Sequence, residues 1–506
     1  MVLGIDLGTS NTVAASISRD GSAVLLPDAY NKSALSTPSI ALIEDNRAYA
    51  GEFAENLFES LPDKQLIAYF KRSFGTSDPV FFDHHNGPWF SETVASLILK
   101  KVKFDAAMYL PDGYNKTVIT VPAHYNDIQR KSVIEAARLA EIDLTAIIEE
   151  PIAAALHYSQ AHKNHEDELI LIYDFGGGTF DLTLITQSGN QLNVIAKDGV
   201  NQLGGKEFDG IVLETIRNHY QKAFGVSMPQ DKLTSNRLKK TAEKIKIELN
   251  NTDDIGKLSK WIMAGREGFE VNFMIDEYAA KATNLIENTE VAMNRCLRSL
   301  GLRFIDVHKL ILTGGTSSSK LVYNFWKNKM GPKQELIYHQ PLSGVAKGAA
   351  LYAASLGEGS KSSPVIPISL KGVSTYNIGV KVIGGLSTMD LLIHRNTPLP
   401  VSGRKIYKVV PSQQETVFFE IYQFWNPQEE LHLLGTAKAG PFTLQEDFNL
   451  EVLVENRTDG TIGLKLKNAD NGRDLKFEFS RKKSVHTYDY RQQKSMVDAI
   501  YLNNYF

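Results

Sequence analysis

Two strings constrain this chain more than any others: Gly4-Ile5-Asp6-Leu7-Gly8-Thr9-Ser10 and Asp174-Phe175-Gly176-Gly177-Gly178-Thr179-Phe180-Asp181. Each runs from an apolar strand through an acid to glycine and a hydroxyl residue. More strand-like sequence follows each, over residues 12–17 and 182–185. The pattern predicts two β-hairpins whose glycine tips offer bare N–H groups to phosphate oxygens, because no Cβ blocks the approach. An acid beside a phosphate is repelled unless a hard cation lies between them. The two copies predict a duplicated lobe with a nucleotide clamped between. One D-x-G-T alone would be an ordinary glycine turn; the pairing, and the triple glycine flanked by Asp174 and Asp181, carries the reading. No G-x-x-x-x-G-K-[ST] and no strand-to-helix G-x-G-x-x-G occurs, so hairpins rather than a helix N-terminus are expected to hold the nucleotide.

A chain of 506 residues is expected to form two or three domains. A net charge of −3 gives no electrostatic case for nucleic-acid or membrane binding. Cys296 is the sole cysteine, so no intrachain disulfide can form. The chain opens directly into a strand, which leaves no room for a signal peptide, and no apolar run is long enough to span a bilayer. A cytoplasmic protein is expected.

Strands and helices alternate up to about residue 356. Val118-Ile119-Thr120-Val121 reads as a strand stopped by Pro122, and Asn126-Asp127 as the start of a helix carrying Val133, Ala136, Ala137 and Ala140. Residues 169–173 and 309–312 read as buried strands, and 238–249, 278–300 and 345–356 as helices. Small and polar residues over 357–364 suggest a linker. Beyond it the pattern is all β. Val417, Phe419 and Ile421 alternate with Phe418, Glu420 and Tyr422, and Asp459-Gly460 marks a hairpin between 449–454 and 461–466. The last residues, from Arg481 on, suffice for one short helix but not for a helical bundle.

These strings together resemble the DnaK-type heat-shock chaperone family over nearly the whole chain. The resemblance also rests on Phe70-Lys71-Arg72, Val118-Ile119-Thr120-Val121-Pro122-Ala123, Glu150-Pro151-Ile152-Ala153-Ala154-Ala155, Leu203-Gly204-Gly205, Gly314-Gly315 and Leu392-Ile393-His394-Arg395-Asn396-Thr397-Pro398-Leu399-Pro400. The short spacing after Lys71 and the brief C-terminus are most similar to specialised HscC-type members, with the lid truncated. The resemblance implies α/β plus all-β architecture: an actin-like (ribonuclease H-like) two-lobed ATPase domain over 1–356, an interdomain linker over 357–373, a β-sandwich that binds extended peptides over 374–480, and a short tail over 481–506.

It also implies slow ATP hydrolysis to ADP and phosphate with Mg²⁺ and accompanying K⁺. Asp6 and Asp174 would hold the metal through water. Gly8, Thr9, Ser10, Asn11, Gly176, Gly177, Gly178 and Thr179 would grip the phosphates. Lys71 would position the attacking water, Glu150 would orient or deprotonate it, and Asp181 would support the ion network. Gly204, Gly205, Gly314 and Gly315 would line the nucleotide, with Glu243, Lys246, Asn250 and Ser318 at ribose and base. Pro122 and Arg130 would relay between domains. Val380, Val382, Ile383, Tyr407, Val410, Val417 and Phe419 would contact peptide, Phe419 narrowing the pocket. Partners would be unfolded or client polypeptides, with a cognate J-domain co-chaperone and a nucleotide exchange factor.

The chain departs from the family at several places. Ile247 and Ser318 stand where adenine is often stacked on arginine. The loop Thr316-Ser317-Ser318-Ser319 is short, and Gln340-Pro341-Leu342 replaces an Asn-Pro-Asp string. Pro367-Ile368-Ser369-Leu370-Lys371-Gly372-Val373 replaces an acidic, leucine-rich linker, and Ala146 replaces an arginine touched by J-domains. The linker and Ala146 favour a rival reading, a non-enzymatic nucleotide-sensing adaptor with one dedicated partner. The intact set Asp6, Lys71, Glu150, Asp174 and Thr179 favours the ATPase. A sugar-kinase relative is disfavoured by the β region and by Glu150-Pro151.

Overall fold

The computed structural model describes residues 1–44, 47–60, 65–83, 87–162, 167–189, 191–253, 256–338, 343–356, 369–383, 389–410, 415–425, 431–442, 447–481, 490–499 and 501–502. Linker residues 357–368 and the Gln340-Pro341-Leu342 string lie outside this set.

The duplication expected from the glycine strings is present as two sheets of the same plan. In the first, Val2–Leu7 pairs antiparallel with Asn11–Ile17, which pairs antiparallel with Ala23–Leu26. On its other side Val2–Leu7 runs parallel to Lys116–Val121, and that strand parallel to Leu144–Glu149. The second sheet repeats this with Glu168–Phe175, Phe180–Ser188 and Gln191–Val200 antiparallel, and with Lys309–Thr313 and Glu335–Tyr338 added in parallel. Leu3, Ile5, Leu171 and Tyr173 are wholly buried, as expected of central strands covered on both faces.

Helices Glu150–Ala161 and Gly344–Ser355 cross between the sheets. They approach so closely that a Cβ on Gly348 would lie 1.8 Å from the Ala153 carbonyl oxygen. Only glycine fits there. The helix Asp127–Leu139 starts where the sequence indicated: Gln129 N donates to Asn126 Oδ1 (3.0 Å) and Asn126 N donates to Gln129 Oε1 (3.1 Å), a capping box.

The C-terminal region is all β, as its alternation indicated. Asp390–Ile393, Asn377–Ile383, Val417–Phe424, Leu431–Ala439 and Phe477–Arg481 form one sheet; Val401–Val409, Phe448–Asn456 and Ile462–Asn468 form another. The two share one apolar core that includes Ile378, Val380, Val417, Phe419, Leu450 and Val452. This corrects the groove expectation for three residues. Val380, Val417 and Phe419 are at most 4% exposed, because strand alternation turns them into that core, and they offer no surface to a peptide in this structure. Val382, Tyr407 and Val410 are half-buried, and Ile383 is exposed.

Two segments are placed where sequence gave no indication. Ser369–Lys371, within the expected linker, is the sixth strand of the second sheet, parallel to Gln191–Val200. The tail forms the helix Tyr490–Ala499, which packs on the N-terminal lobe and not on the β region. Val497 is fully buried there, Thr93 Oγ1 donates to Gln493 Oε1 (2.5 Å), and the Arg138 guanidinium lies 3.8 Å over the Tyr490 ring. Tyr501–Leu502 then pairs with Arg47 and Ala48. Among the described residues, no helix is long and apolar enough to cross a membrane.

Candidate active site

The two hairpin tips face one cleft of about 380 Å³ between the sheets. Asp6 and Asp174 are each the last residue but one of their strands in the two sheets. Gly8, Thr9, Ser10 and Asn11 line the cleft from one side, and Gly176, Gly177, Thr179, Gly205, Gly314 and Gly315 from the other. Gly314 has φ +87°, and a Cβ on it would lie 2.5 Å from Asp174 Oδ1, so this turn can hold the acid only with glycine.

Between the tips sits Lys71, 3% exposed, on the short 3-10 turn Phe70–Ser73. Its Nζ lies 2.7 Å from Glu150 Oε1. The turn is entered through Tyr69, a non-glycine residue at φ 57°, a strained conformation of the kind found at functional sites. Glu150 is the first residue of its helix, with Pro151 next to it.

The cleft is rich in buried negative charge. Burial, then the Lys71 charge opposing it, sets Glu150, whose carboxyl is pushed up to about 7 with Asp6 and Asp181 adding to the rise. Asp174 is held well above the usual carboxylate range by burial and by Glu150, Asp181 and Asp6. Asp6 is raised by burial, against Lys71 and a hydrogen bond from Thr120 Oγ1 (2.9 Å). Asp6, Glu150 and Asp174 thus line the cleft around Lys71 with Asp181 behind them, an excess of acid that a hard cation would relieve. Among the described residues no three His, Cys, Asp or Glu side chains converge as a metal-ligand cluster. Asp6 and Asp174, one at each glycine tip of the same cleft, fit a hard cation shared with phosphate.

Three expected residues stand behind the lining. Asp181 is 1% exposed and accepts from His124 N (3.0 Å), with His124 Nδ1 at 2.7 Å. Gly204 caps the helix Gly205–Phe224 and packs on the second tip, where its Cβ would lie 2.5 Å from Gly178 N. Gly178 itself is covered by Arg72. At the far end, Glu243, Lys246, Asn250 and Ser318 line the cleft together with Ile247, which is 54% exposed at its mouth. Lys246 is tied to Asp209 at 2.8 Å.

Away from the cleft, Arg130 reaches the β region: Nη1 donates to Asp459 O (3.0 Å) and Nη2 to Glu149 Oε1 (2.7 Å). Pro122 is buried at the end of the strand that precedes the Arg130 helix. Sequence reasoning did not single out Glu149, Lys197, His124 or a role for Arg72. Lys197 Nζ donates to Glu149 Oε1 (2.8 Å) and to Val373 O (2.9 Å), across the boundary to the β region. Tyr376 Oη donates to His124 O at 2.5 Å over the same boundary. A charged Glu149-Glu150 pair before proline was the only local signal available; the partners are remote in sequence.

The family model described as Hsp70 protein matches residues 2–444. The chain is 32% identical over 482 residues to the chaperone protein DnaK of Thermosipho melanesiensis, a match covering 94% of this chain and 79% of that protein. The DnaK proteins of Thermosipho africanus and Thermotoga maritima are likewise 32% identical, over 484 and 483 residues and the same shares.

Proposed function

Because this chain belongs to the Hsp70 family and is an ATP-dependent chaperone and ATPase, we propose that the cleft between its two lobes is the hydrolytic site. On this reading residues 1–356 form an actin-like nucleotide-binding unit and residues 374–480 a β-sandwich that holds extended client segments. The observation that carries it is the Lys71–Glu150 pair, 2.7 Å apart between two glycine hairpins. Hydrolysis of a phosphoanhydride is mostly a matter of positioning and charge neutralisation.

Backbone N–H groups of residues 8–11 and 176–179 bind and orient the phosphates. Mg²⁺, when bound, would neutralise phosphate charge; Asp6 and Asp174 would hold it through water, and Asp181 would support the charge balance with K⁺ nearby. Lys71 Nζ orients the attacking water at the terminal phosphate. Glu150, kept near neutral pH in its affinity for a proton, holds that water and accepts its proton at Oε1. Thr179 presents its hydroxyl and N–H to the phosphate. Clients are unfolded polypeptides; a J-domain co-chaperone and an exchange factor complete the proposed cycle, in the cytoplasm. Family membership outweighs the linker and Ala146, the two features that favoured the non-enzymatic adaptor.

Single-turnover hydrolysis tests this. Lys71→Ala should abolish turnover while nucleotide binding persists, and Thr179→Ala should slow it. Parent-rate hydrolysis by Lys71→Ala would refute the assignment.

A further inference from the structure

Arg72 follows Lys71 on the same 3-10 turn, yet its side chain leaves its own lobe. Nη2 donates to the Gly178 carbonyl at 2.9 Å, and Nη1 and Nη2 each lie 3.2 Å from a Glu207 carboxylate oxygen. Glu207 in turn accepts from Gly204 N at 2.7 Å, so the same carboxylate caps the helix that supports the second phosphate tip. That helix start is tied to the tip by Gly205 N to Gly176 O and Lys206 N to Gly177 O, both 3.0 Å. The Arg72 Nε–H is buried and has no partner among the described residues. A Cβ built on Gly178 would lie 2.8 Å from Nε and 3.2 Å from Thr9 Oγ1, so both hairpin tips and the guanidinium meet at that glycine.

We propose that Arg72 is a positioning residue for hydrolysis: it clamps the second phosphate tip to the Lys71 turn, making cleft closure and placement of Lys71 a single event. This rests on the cleft being the hydrolytic site. Three physical points support it. A planar fork can engage a carbonyl and a carboxylate at once, which a lysine cannot do. In a trans peptide the C=O and the next N–H point in opposite directions, so holding the Gly178 carbonyl turns the Thr179 N–H away from Arg72. Thr179 lines the cleft together with Lys71 and Glu150. Lys71 and Arg72 are also adjacent on one strained turn, so the tie to Glu207 limits where Lys71 Nζ can sit.

The test compares Arg72→Gln, Glu207→Gln and the double variant with the parent. ADP and ATP affinities are measured with a fluorescent analogue, and hydrolysis in single turnover. Each single change should cut the rate of bound-ATP hydrolysis by about tenfold or more while affinity stays within about threefold. The double variant should be no slower than the worse single one, because both remove one clamp. Arg72→Lys should recover only part of the rate. Parent-rate hydrolysis in Arg72→Gln, equal loss of affinity and rate, or additive effects in the double variant would each overturn the proposal. If Arg72→Gln does not fold, Glu207→Gln tests the clamp from the other lobe. Lys71→Ala serves as the control: if it is inactive and Arg72→Gln is not, the clamp alone fails; if Lys71→Ala is active, the site assignment fails.

Discussion

Replacing Glu149 by glutamine should loosen the β region from the two lobes. Glu149 is 6% exposed and stands between two cations. Arg130 Nη2 and Lys197 Nζ both lie 2.7 Å from its carboxylate. The amide keeps the shape but removes the charge, leaving two buried cations without a counter-ion. Breaking a buried ion pair in this way costs about 3–5 kcal/mol. Lys197 has some relief available, since burial already pushes its pKa down and Glu149 is what holds it up. Arg130 has none, because a guanidinium does not deprotonate. Both cations also bind the β region or its leading segment, through Asp459 O and Val373 O. Separation there would return both to water, so the loss should appear as undocking. About 3 kcal/mol corresponds to a shift on the order of 100-fold in that equilibrium.

Trp425 reports it, since its ring lies 3.8 Å from the Arg395 guanidinium and 5.7 Å from the Tyr376 ring. Its emission, with Trp425→Phe subtracted, should shift in Glu149→Gln. Adding Lys197→Met to Glu149→Gln should recover docking only in part, because it removes one stranded cation together with its bond to Val373 O and leaves Arg130 without its counter-ion. Docking in Glu149→Gln within about twofold of the parent would refute the reasoning.

Two further outcomes are expected. A carboxyl held at about 7, above its ordinary 4.5, keeps a proton that the unfolded chain releases, so Glu150 favours the folded state below 4.5 and that benefit is lost as pH rises through 7. Urea midpoints of the nucleotide-free parent should therefore fall between about pH 5 and about pH 8, and Glu150→Gln should fall less; equal slopes would count against the buried carboxyl. Deleting residues 482–506 removes Val497 from the first-lobe core and the Lys494–Glu141 pair, 2.8 Å apart, and should lower unfolding stability by about 2 kcal/mol; an unchanged denaturant midpoint would mean the tail adds nothing.

The sequence by itself determined the local chemistry. Acid, glycine and hydroxyl at fixed spacing dictate a hairpin whose tip can meet a phosphate, because backbone conformation there depends on a few adjacent residues. Asn126 and Gln129 fixed a helix start for the same reason, and Asp459-Gly460 a hairpin. Repetition of one pattern announced two sheets of one plan. Tertiary structure decided everything that joins distant segments. Alternation places Val417 and Phe419 on one face, but only the second sheet makes that face a sealed core and not a groove. Nothing local marks Ser369–Lys371 as a strand, since a three-residue edge takes its conformation from the partner it pairs with. The tail helix is amphipathic wherever it lies; the apolar surface around Val94 and Val133, assembled from other elements, chose its place. Glu149, Lys197 and Arg72 read as solvated charges in sequence. Their roles appear only when folding removes water and leaves each a few fixed partners, because desolvation makes the choice of partner energetically decisive.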